Sequence, residues 1–218
     1  METPKHALNK RGRRSREEIL DAASRMMSAR GYAAASLADL AREAGLPKSA
    51  IYHHFDSKAG LLAAVMERGA RAFFDDLDRG HAELPPGGTS RERLAWYLRR
   101  TGRVFTSREE FLRLFILLRL SEEAPEVSKI VDDVRIEGLV HMRNMISSAY
   151  APEGEEIAAA LAEALAGVGV SFFDGAFIAV QTDPGRTTDA EMDLLIEAMS
   201  ALAENRVAAL RQAEESPI

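Results

Sequence analysis

The sequence predicts an all-α protein of about nine helices, and three observations support this prediction. Apolar residues recur at steps of three and four in most segments, as they do along one face of an α-helix. Serine, glycine and proline residues of the kind that start or stop helices separate these segments. No segment has the pattern of a convincing strand, and no internal repeat is present. We therefore expect a small N-terminal unit of three helices, followed by a larger helical domain.

Length and composition exclude several classes of protein. The chain has 218 residues, 46% of them hydrophobic, and no cysteine, so neither a disulfide framework nor a thiolate zinc site is possible. The first sixteen residues are basic and polar without an apolar core, so no secretory signal is expected. Residues 164–180 are the most apolar stretch, but Asp174 interrupts them, and a membrane span needs about 18 uninterrupted apolar residues. We expect a cytoplasmic protein with no membrane partner.

Charge is distributed unevenly along the chain, although the net charge is only −6. Residues 1–58 have 11 Lys and Arg against 7 Asp and Glu, whereas the remaining residues have 17 against 27. A basic end on an acidic body is typical of a protein that meets a polyanion with that end. A solvated, disordered tail has the same pattern, and charge alone does not separate the two interpretations.

The N-terminal residues indicate a short arm and a first helix. Residues 1–14 lack apolar periodicity and are expected to form a flexible basic arm. Ser15 and Glu18 have the spacing of a capping box, which predicts that the first helix starts at Ser15. Gly31 can adopt the left-handed conformation and would end that helix.

The same signals place the later helices and suggest the domain boundaries. Helices are expected, in order, at residues 36–44, 48–55, 58–79, 90–106, 108–122, 125–149, 153–182 and 187–213. Residues 81–89, rich in proline and glycine, are the clearest loop. Residues 108–122 are apolar nearly all round, which is typical of a central buried helix. We expect a three-helix domain at 15–58 and a larger domain at 59–218.

Residues 36–55 have the pattern of a helix-turn-helix. Gly45 ends one short helix and lets the chain reverse, and a second short helix follows directly. The apolar residues that would hold the two helices at a fixed angle are Leu37, Leu40, Ala41, Leu46 and Ile51. The second helix would present its polar side outward, where a DNA major groove of about 12 Å admits a helix. Two ordinary packed helices give the same pattern, so these twenty residues alone leave both interpretations open.

A longer run of features surrounds this motif between Glu17 and Val65. In chain order they are Ile19-Leu20 with Ala22-Ala23, Gly31-Tyr32, Ser36-Leu37, Leu40-Ala41, Ala44-Gly45-Leu46, Ile51-Tyr52-His53-His54-Phe55, Ser57-Lys58 and Leu61-Leu62. Together they resemble the helix-turn-helix DNA-binding domain of the TetR family of transcriptional regulators. Pro47 departs from the pattern, because many members have a serine there. Proline lacks the capping hydroxyl but fixes φ at the start of the helix.

The resemblance implies ten DNA-contacting residues in three groups. Those at or near the base edges would be Lys48, Ser49 and Ala50. Those at phosphates or flanking bases would be Tyr52, His53, Ser36 and Lys58. Those that follow the DNA backbone or enter a minor groove would be Arg13, Arg14 and Arg16. For Tyr52 the alternative is hydrophobic packing. Ile51 and Phe55 are expected in the core, and His54 could either contact DNA or pack in the core.

The resemblance also implies a homodimer on a double-stranded DNA operator. One helix-turn-helix contacts too few bases to specify a site, whereas two copies would read half-sites about 34–36 Å apart or a multiple of that. Small residues in the last two long helices would allow close helix packing. The apolar residues expected at the dimer interface are Leu161, Leu165, Phe172, Leu195, Met199 and Leu202. Packing within one chain is the alternative for this surface.

The resemblance also implies that the larger domain binds an apolar or amphipathic small-molecule effector. The candidate pocket residues are Trp96, Tyr97, Arg100, Phe105, Phe115, Arg119, His141, Met142, Met145, Phe173, Asp174 and Phe177. Each of them also fits an ordinary core position. The resemblance implies a repressor that an effector releases from a palindromic operator. The effector would bind better to the conformer whose recognition helices no longer match the operator.

Two other functions were weighed against this one. Glu137 and His141 lie four residues apart on one helical face, but the paired Glu-x-x-His motifs of a di-metal bundle enzyme are missing from the sequence. Phosphate-binding GxxxxGK[ST], HExxH and GxSxG motifs are missing too, so we expect no enzyme, no metal and no cofactor. A non-specific architectural DNA-binding protein should be basic throughout, whereas the larger domain is acidic.

Overall fold

The structure, a computed structural model, describes residues 5–83, 87–121 and 125–215. Within these ranges the regular elements are nine α-helices and one short 3-10 helix, which confirms the all-α prediction. The helices are α1 (Lys5–Arg30), α2 (Leu37–Glu43), α3 (Lys48–His54), α4 (Lys58–His81), α5 (Ser90–Ser107), α6 (Glu109–Arg119), α7 (Pro125–Tyr150), the 3-10 helix η1 (Ala151–Glu153), α8 (Glu155–Thr182) and α9 (Thr188–Glu215). Residues 84–86 of the predicted loop lie outside the described residues.

The first helix is longer than the sequence predicted. It begins at Lys5 rather than Ser15, so residues 5–14 of the expected flexible arm are helical and the predicted capping box at Ser15 is wrong. No proline lies between Lys5 and Ser15, and Gly12 is the only strong helix breaker there. Because extending an existing helix costs far less than nucleating one, the buried part of α1 can carry the helix through this polar segment.

Contacts between helices divide the chain into two compact units. The first contains residues 1–73 and 108–133, and the second contains residues 74–107 and 134–218. The helix α6 therefore groups with the three N-terminal helices. The predicted boundaries at residues 14 and 58 separate an arm, a DNA-binding domain and an effector-binding domain by their functions, and they stay a prediction.

The apolar faces of α1, α2 and α3 meet in one small core of the first unit. Leu20 of α1 and Leu40 of α2 are fully buried, and Ile51 of α3 is 1% exposed. All three pairs of these helices are in contact. Because each helix buries side chains in the same core, the three hold one another at fixed angles.

A glycine lets α4 pack closely against α6 in the first unit. The ring of Phe111 occupies the space that a Cβ atom on Gly69 would need. The ring centroids of Phe73 and Phe111 lie 5.6 Å apart, one helical turn further along α4. Arg68 pairs with Asp21 of α1 at 2.8 Å. The middle of α4 is thereby fixed to two other helices of its unit.

The helix α6 is less buried than its composition suggested. Phe111, Leu114 and Phe115 are buried, but Leu117 is 43% exposed and Leu120, just past the helix end, is 82% exposed. The prediction of a helix buried on all sides is therefore wrong. Contacts with α1 and with Gly69 of α4 cover one broad face of α6.

The second unit has its own core, built around α5, α8 and α9. The helix α9 contacts both α5 and α8, and Leu98, Leu161 and Leu195 are fully buried among them. Among the described helices, α8 alone has the length and apolarity needed to cross a membrane, and 44% of its most apolar stretch is buried inside the chain. Core helices of soluble proteins meet the same criterion.

Gly69→Ala should lower the free energy of unfolding, although alanine favours a helix interior over glycine by about 1 kcal/mol. The new methyl group would collide with the buried Phe111 ring, and overpacking of this kind costs about 1–3 kcal/mol. Gly138→Ala is the control, because nothing lies within 4 Å of a Cβ atom there. It should stabilise the protein. Chemical denaturation measures both variants, and a stabilised Gly69→Ala protein would contradict the close packing.

Candidate nucleic-acid interface

Gly45 forms the turn that sets α3 against α2. Its φ of +66° lies in the left-handed region, which glycine adopts at little cost. The amide of Leu46 donates to the carbonyl of Ala41 at 3.0 Å, and the amide of Gly45 donates to that of Arg42 at 3.2 Å. These bonds satisfy the last carbonyls of α2 before α3 begins. The chain can therefore reverse within a few residues.

The helix α3 turns one side into the core and the other to solvent. Ile51 and Phe55 are buried, whereas Ala50 is half-buried. The exposed residues, which we call the α3 face, are Lys48, Ser49, Tyr52 and His53. The structure thus brings the predicted DNA-contacting residues of this helix, apart from Ala50, onto one accessible surface.

Lys48 and Tyr52 lie one turn apart on the α3 face and contact each other. The Lys48 ammonium is 5.7 Å from the centroid of the Tyr52 ring, within the range of a cation–π contact. Tyr52 is 52% exposed, so the alternative of hydrophobic packing is wrong for this residue. Pro47 precedes the helix with a φ of −66° and provides no side-chain cap, as the sequence predicted. Its carbonyl accepts the amide of Ala50 at 2.8 Å.

The start of α4 holds a second cationic group. The hydroxyl of Ser57 caps the helix by accepting the amide of Gly60 at 2.9 Å. The ammonium of Lys58 lies 4.3 Å from the centroid of the Tyr32 ring and donates to the carbonyl of Ala33 at 3.3 Å. Lys58 is therefore held at a helix start, where the helix dipole also favours an anion.

Ser36 caps α2 and is already engaged. Its hydroxyl accepts the amide of Asp39 at 3.1 Å and donates to the Asp39 carboxylate at 2.6 Å. The bond from Ser36, followed by the charge of Arg42, holds the pKa of Asp39 below its ordinary value. A phosphate contact from the Ser36 hydroxyl would have to replace one of these bonds.

The three arginines expected at the DNA backbone differ in their surroundings. Arg14 pairs with Glu18 at 2.9 Å, and Arg16 lies 3.7 Å from Glu17. Arg13 is exposed and makes no ion pair within the part of the chain that the structure describes. All three lie on α1, which corrects the prediction of a flexible arm for Arg13 and Arg14 and agrees with the helix predicted at Arg16.

His54 is half-buried beside the α3 face. Burial lowers its pKa, and the charges of His53 and Arg16 lower it further. Its ring centroid lies 5.0 Å from that of His53 and 6.3 Å from that of Phe55. His54 is therefore neutral at neutral pH, and it packs at the edge of the core rather than adding a charge to the surface.

Two contacts that shape this surface were not predicted from the sequence. Tyr32 supports Lys58, and the guanidinium of Arg16 lies 5.3 Å from the centroid of the Phe55 ring. The residues of the first pair are 26 positions apart in the chain, and those of the second pair are 39 positions apart. A contact over such a separation leaves no local spacing signal, and the residues stood out only as parts of a family pattern.

The predicted pocket residues fall in both units. Phe115 and Arg119 lie on α6 in the first unit, where Arg119 pairs with Asp132 at 3.1 Å. The others belong to the second unit: Trp96, Tyr97, Arg100, Phe105, His141, Met142, Met145, Phe173, Asp174 and Phe177. Several of these are ordinary core residues, namely Tyr97, Met142, Met145 and Phe173.

Polar groups accompany aromatic rings at two places in the second unit. The guanidinium of Arg100 lies 4.0 Å from the centroid of the Trp96 ring. The imidazole of His141 stacks on Phe74 at 4.9 Å, and its Nδ1 lies 3.6 Å from Asp78. Two cavities of this unit, of about 350 and 460 Å³, are lined by other residues.

Most of the predicted dimer contacts are buried within one chain. Four of them are at most 2% exposed and belong to the core of the second unit, namely Leu161, Leu165, Leu195 and Met199. Because their own chain covers them, they offer no surface to a partner, and the prediction is wrong for these four. Phe172 is half-buried and Leu202 is 42% exposed. The large apolar residues that α8 and α9 leave exposed, which we call the α8–α9 surface, are Val168, Ile178, Leu194 and Leu202.

Comparison with known proteins matches the first part of the chain to one family. Residues 19–65 match the model of the bacterial regulatory proteins of the tetR family. The HTH-type transcriptional repressor KstR2 of Rhodococcus jostii is 37% identical over 79 residues, which are 36% of this chain and 36% of the relative. The chain spans about a third of the length of the curated relatives it matches.

Solved structures match the fold over most of the chain. A TetR-family transcriptional regulator from Agrobacterium tumefaciens has a TM-score of 0.69 at 17% identity, and the match covers 86% of this chain and 98% of that one. A transcriptional regulator from Saccharomonospora viridis, solved in complex with choline, has a TM-score of 0.63 at 23% identity, covering 86% and 96%. At these identities the likeness concerns the fold.

Proposed function

We propose that the whole chain is a cytoplasmic, sequence-specific DNA-binding transcriptional regulator, since residues 19–65 match the model of the bacterial regulatory proteins of the tetR family. The α3 face is the observation that carries this proposal. It presents polar and cationic side chains to solvent from a helix whose other side is anchored in the core. A helix held in this way fits a major groove. Lys58 adds a positive group of the kind that positions a protein on phosphates.

The regulator acts as a homodimer on a palindromic operator. One α3 reaches too few bases to define a site, whereas two copies related by a twofold axis read two half-sites. The residues of the α8–α9 surface are 42–53% exposed in the single chain. A second copy packed on this surface would remove its apolar area from water.

A small apolar or amphipathic effector releases the protein, which acts as a repressor. A regulator of the same fold holds choline, and the relative KstR2 is a repressor. The second unit combines aromatic rings with polar groups at Trp96 with Arg100 and at Phe74 with His141. An effector that binds better to the conformer unable to span both half-sites shifts the population away from DNA.

A non-specific architectural DNA-binding protein is the second candidate function. The basic residues of the N-terminal part favour it, because phosphate attraction alone gives sequence-independent binding. Residues 59–218, with 17 Lys and Arg against 27 Asp and Glu, oppose it, since an acidic body repels a duplex that wraps around it. We propose no enzymatic activity, because the matched family consists of regulatory proteins.

Selection of bound duplexes from a random-sequence library tests the proposal. The protein should enrich one palindrome whose half-sites are separated by about 34–36 Å or a multiple of that distance. An architectural protein would bind duplexes but enrich no sequence. A protein that retained no duplex at low salt would overturn the regulator proposal.

Lys48→Ala and Ser49→Ala should change which sequence is selected. A lost base contact reduces discrimination at that base pair by about 1–3 kcal/mol, so the enriched palindrome should become degenerate there. Ser128→Ala, at an exposed serine of α7, is the matched control and should select the original palindrome. Unchanged selection by both α3 variants would remove these residues from the base-reading surface.

Lys58→Met should weaken binding to all duplexes alike. Losing one phosphate contact should reduce the slope of log affinity against log salt by about 0.9, without changing the preferred sequence. Lys129→Met provides the control, because Lys129 is exposed on α7 and pairs with Asp133 at 2.6 Å. Fluorescence anisotropy at several salt concentrations measures the slope. An unaltered slope for Lys58→Met would show that this lysine contacts no phosphate.

Val168→Glu combined with Ile178→Glu should convert the dimer into a monomer. Burying two carboxylates in an apolar interface is strongly unfavourable, whereas in the free chain both positions are exposed and the variant should fold. Ile136→Glu is the control, since Ile136 is 60% exposed on α7. Sedimentation velocity gives the oligomeric state. A monomeric wild-type protein, or a double variant that stays dimeric, would refute this interface.

A further inference from the structure

A cleft in the second unit lies where α5 begins and α7 ends, and α9 forms its third wall. Its volume is about 350 Å³. That size falls at the lower end of the range of about 300–1,000 Å³ that is typical of small-molecule sites. The polar residues of this α5–α9 cleft are Thr89, Ser90, Arg91, Tyr150, Glu153, Glu204 and Arg211. The residues predicted for the effector pocket do not line it.

One wall of the cleft is fixed by bonds within the protein. The carboxylate of Glu153 accepts the hydroxyl of Ser90 at 2.9 Å and pairs with Arg211 at 2.8 Å. The short helix η1, which carries Glu153, packs against both α5 and α8. Glu153 and Arg211 neutralise each other in this ion pair, so this wall of the cleft holds its shape without a ligand.

The floor of the cleft contains a buried phenol. Tyr150 is only 4% exposed, yet it lines the cavity. Burial, followed by the charge of Glu204, raises the pKa of Tyr150 to about 12, so its hydroxyl keeps its proton and can donate. The buried hydroxyl of Ser200 opposes this rise in pKa through a hydrogen bond with Tyr150.

Two opposite charges stand at the mouth of the cleft. Arg91 and Glu204 are exposed, and neither makes an ion pair within the part of the chain that the structure describes. Both are close enough to Tyr150 to act on its titration, and they do so in opposite directions. The cleft therefore offers one cation and one anion that form no ion pair among the described residues, together with the neutral phenol of Tyr150.

We propose that the α5–α9 cleft binds a small zwitterion, an α-amino acid with a short aliphatic side chain. Its carboxylate lies between Arg91 and the Tyr150 hydroxyl, and its ammonium faces Glu204. Val207 and Ala208 of α9 line the remaining wall and receive the aliphatic part. Two arginines and two glutamates make the lining neutral overall, so a ligand carrying both charges is matched, whereas a simple anion would meet an unpaired carboxylate.

Ligand-observed NMR and calorimetry test the proposal by measuring how the full chain binds L-alanine, L-valine, L-leucine and L-isoleucine. At least one of them should bind. Two analogues of valine should each bind with an affinity lower by about tenfold or more. They are isovalerate, which lacks the ammonium, and isobutylamine, which lacks the carboxylate. If none of the four amino acids binds, or if isovalerate binds as well as valine, the proposal is overturned.

Variants of the cleft separate this site from any other. Arg91→Gln, Glu204→Gln and Tyr150→Phe should each reduce the affinity about tenfold, the usual effect of losing a bond to a charged group. Arg99→Gln is the control on the same helix, because Arg99 pairs with Asp193 and does not line the cleft. Equal affinity in Arg91→Gln, Glu204→Gln and wild-type protein would overturn the assignment, whatever the outcome of the DNA-binding experiments.

Discussion

The left-handed conformation of Gly45 is the constraint on which the candidate DNA interface depends. It lets the amide of Leu46 reach back to Ala41, which closes α2 and frees the next residues to start a new helix. The burial of Leu40 and Ile51 then converts a local turn into a fixed angle between α2 and α3. The polar side of α3 is exposed because its apolar side is committed to this core. A side chain at position 45 would strain that arrangement, since L-residues rarely adopt this φ.

Packing around the turn also holds a charged group, Lys58, in place. Lys58 belongs to α4, but it is held by the ring of Tyr32 and the carbonyl of Ala33, which follow α1. Arg68, further along α4, pairs with α1 as well. The positive group at the start of α4 is therefore held against the segment that follows α1. A side chain that is already ordered loses less entropy when it meets a phosphate.

Local signals were enough to predict most helices, including α3. The segment from Lys48 to Phe55 was predictable because glycine, proline and apolar spacing all act within a few residues. The start of α1 was not predictable in this way, because the capping box at Ser15 indicates a helix start there. In the structure, extension of the stable helix through this segment prevails over that signal. The contacts of Lys58 with Tyr32 and of Arg16 with Phe55 depend on how distant segments pack, and no spacing rule reports them.

The helix α8 shows why the partner-facing residues were misassigned. Its sequence is apolar and rich in small residues on several sides, so periodicity identifies candidate faces without saying which of them the chain fills itself. At Gly169 a Cβ atom would lie 2.8 Å from the sulfur of Met142, so this side is packed internally. At Gly167 and Gly175 nothing lies within 4 Å of the same atom. The glycines of one helix thus face different surroundings, and the side of Gly167 and Gly175 leaves room for the close approach of a second helix.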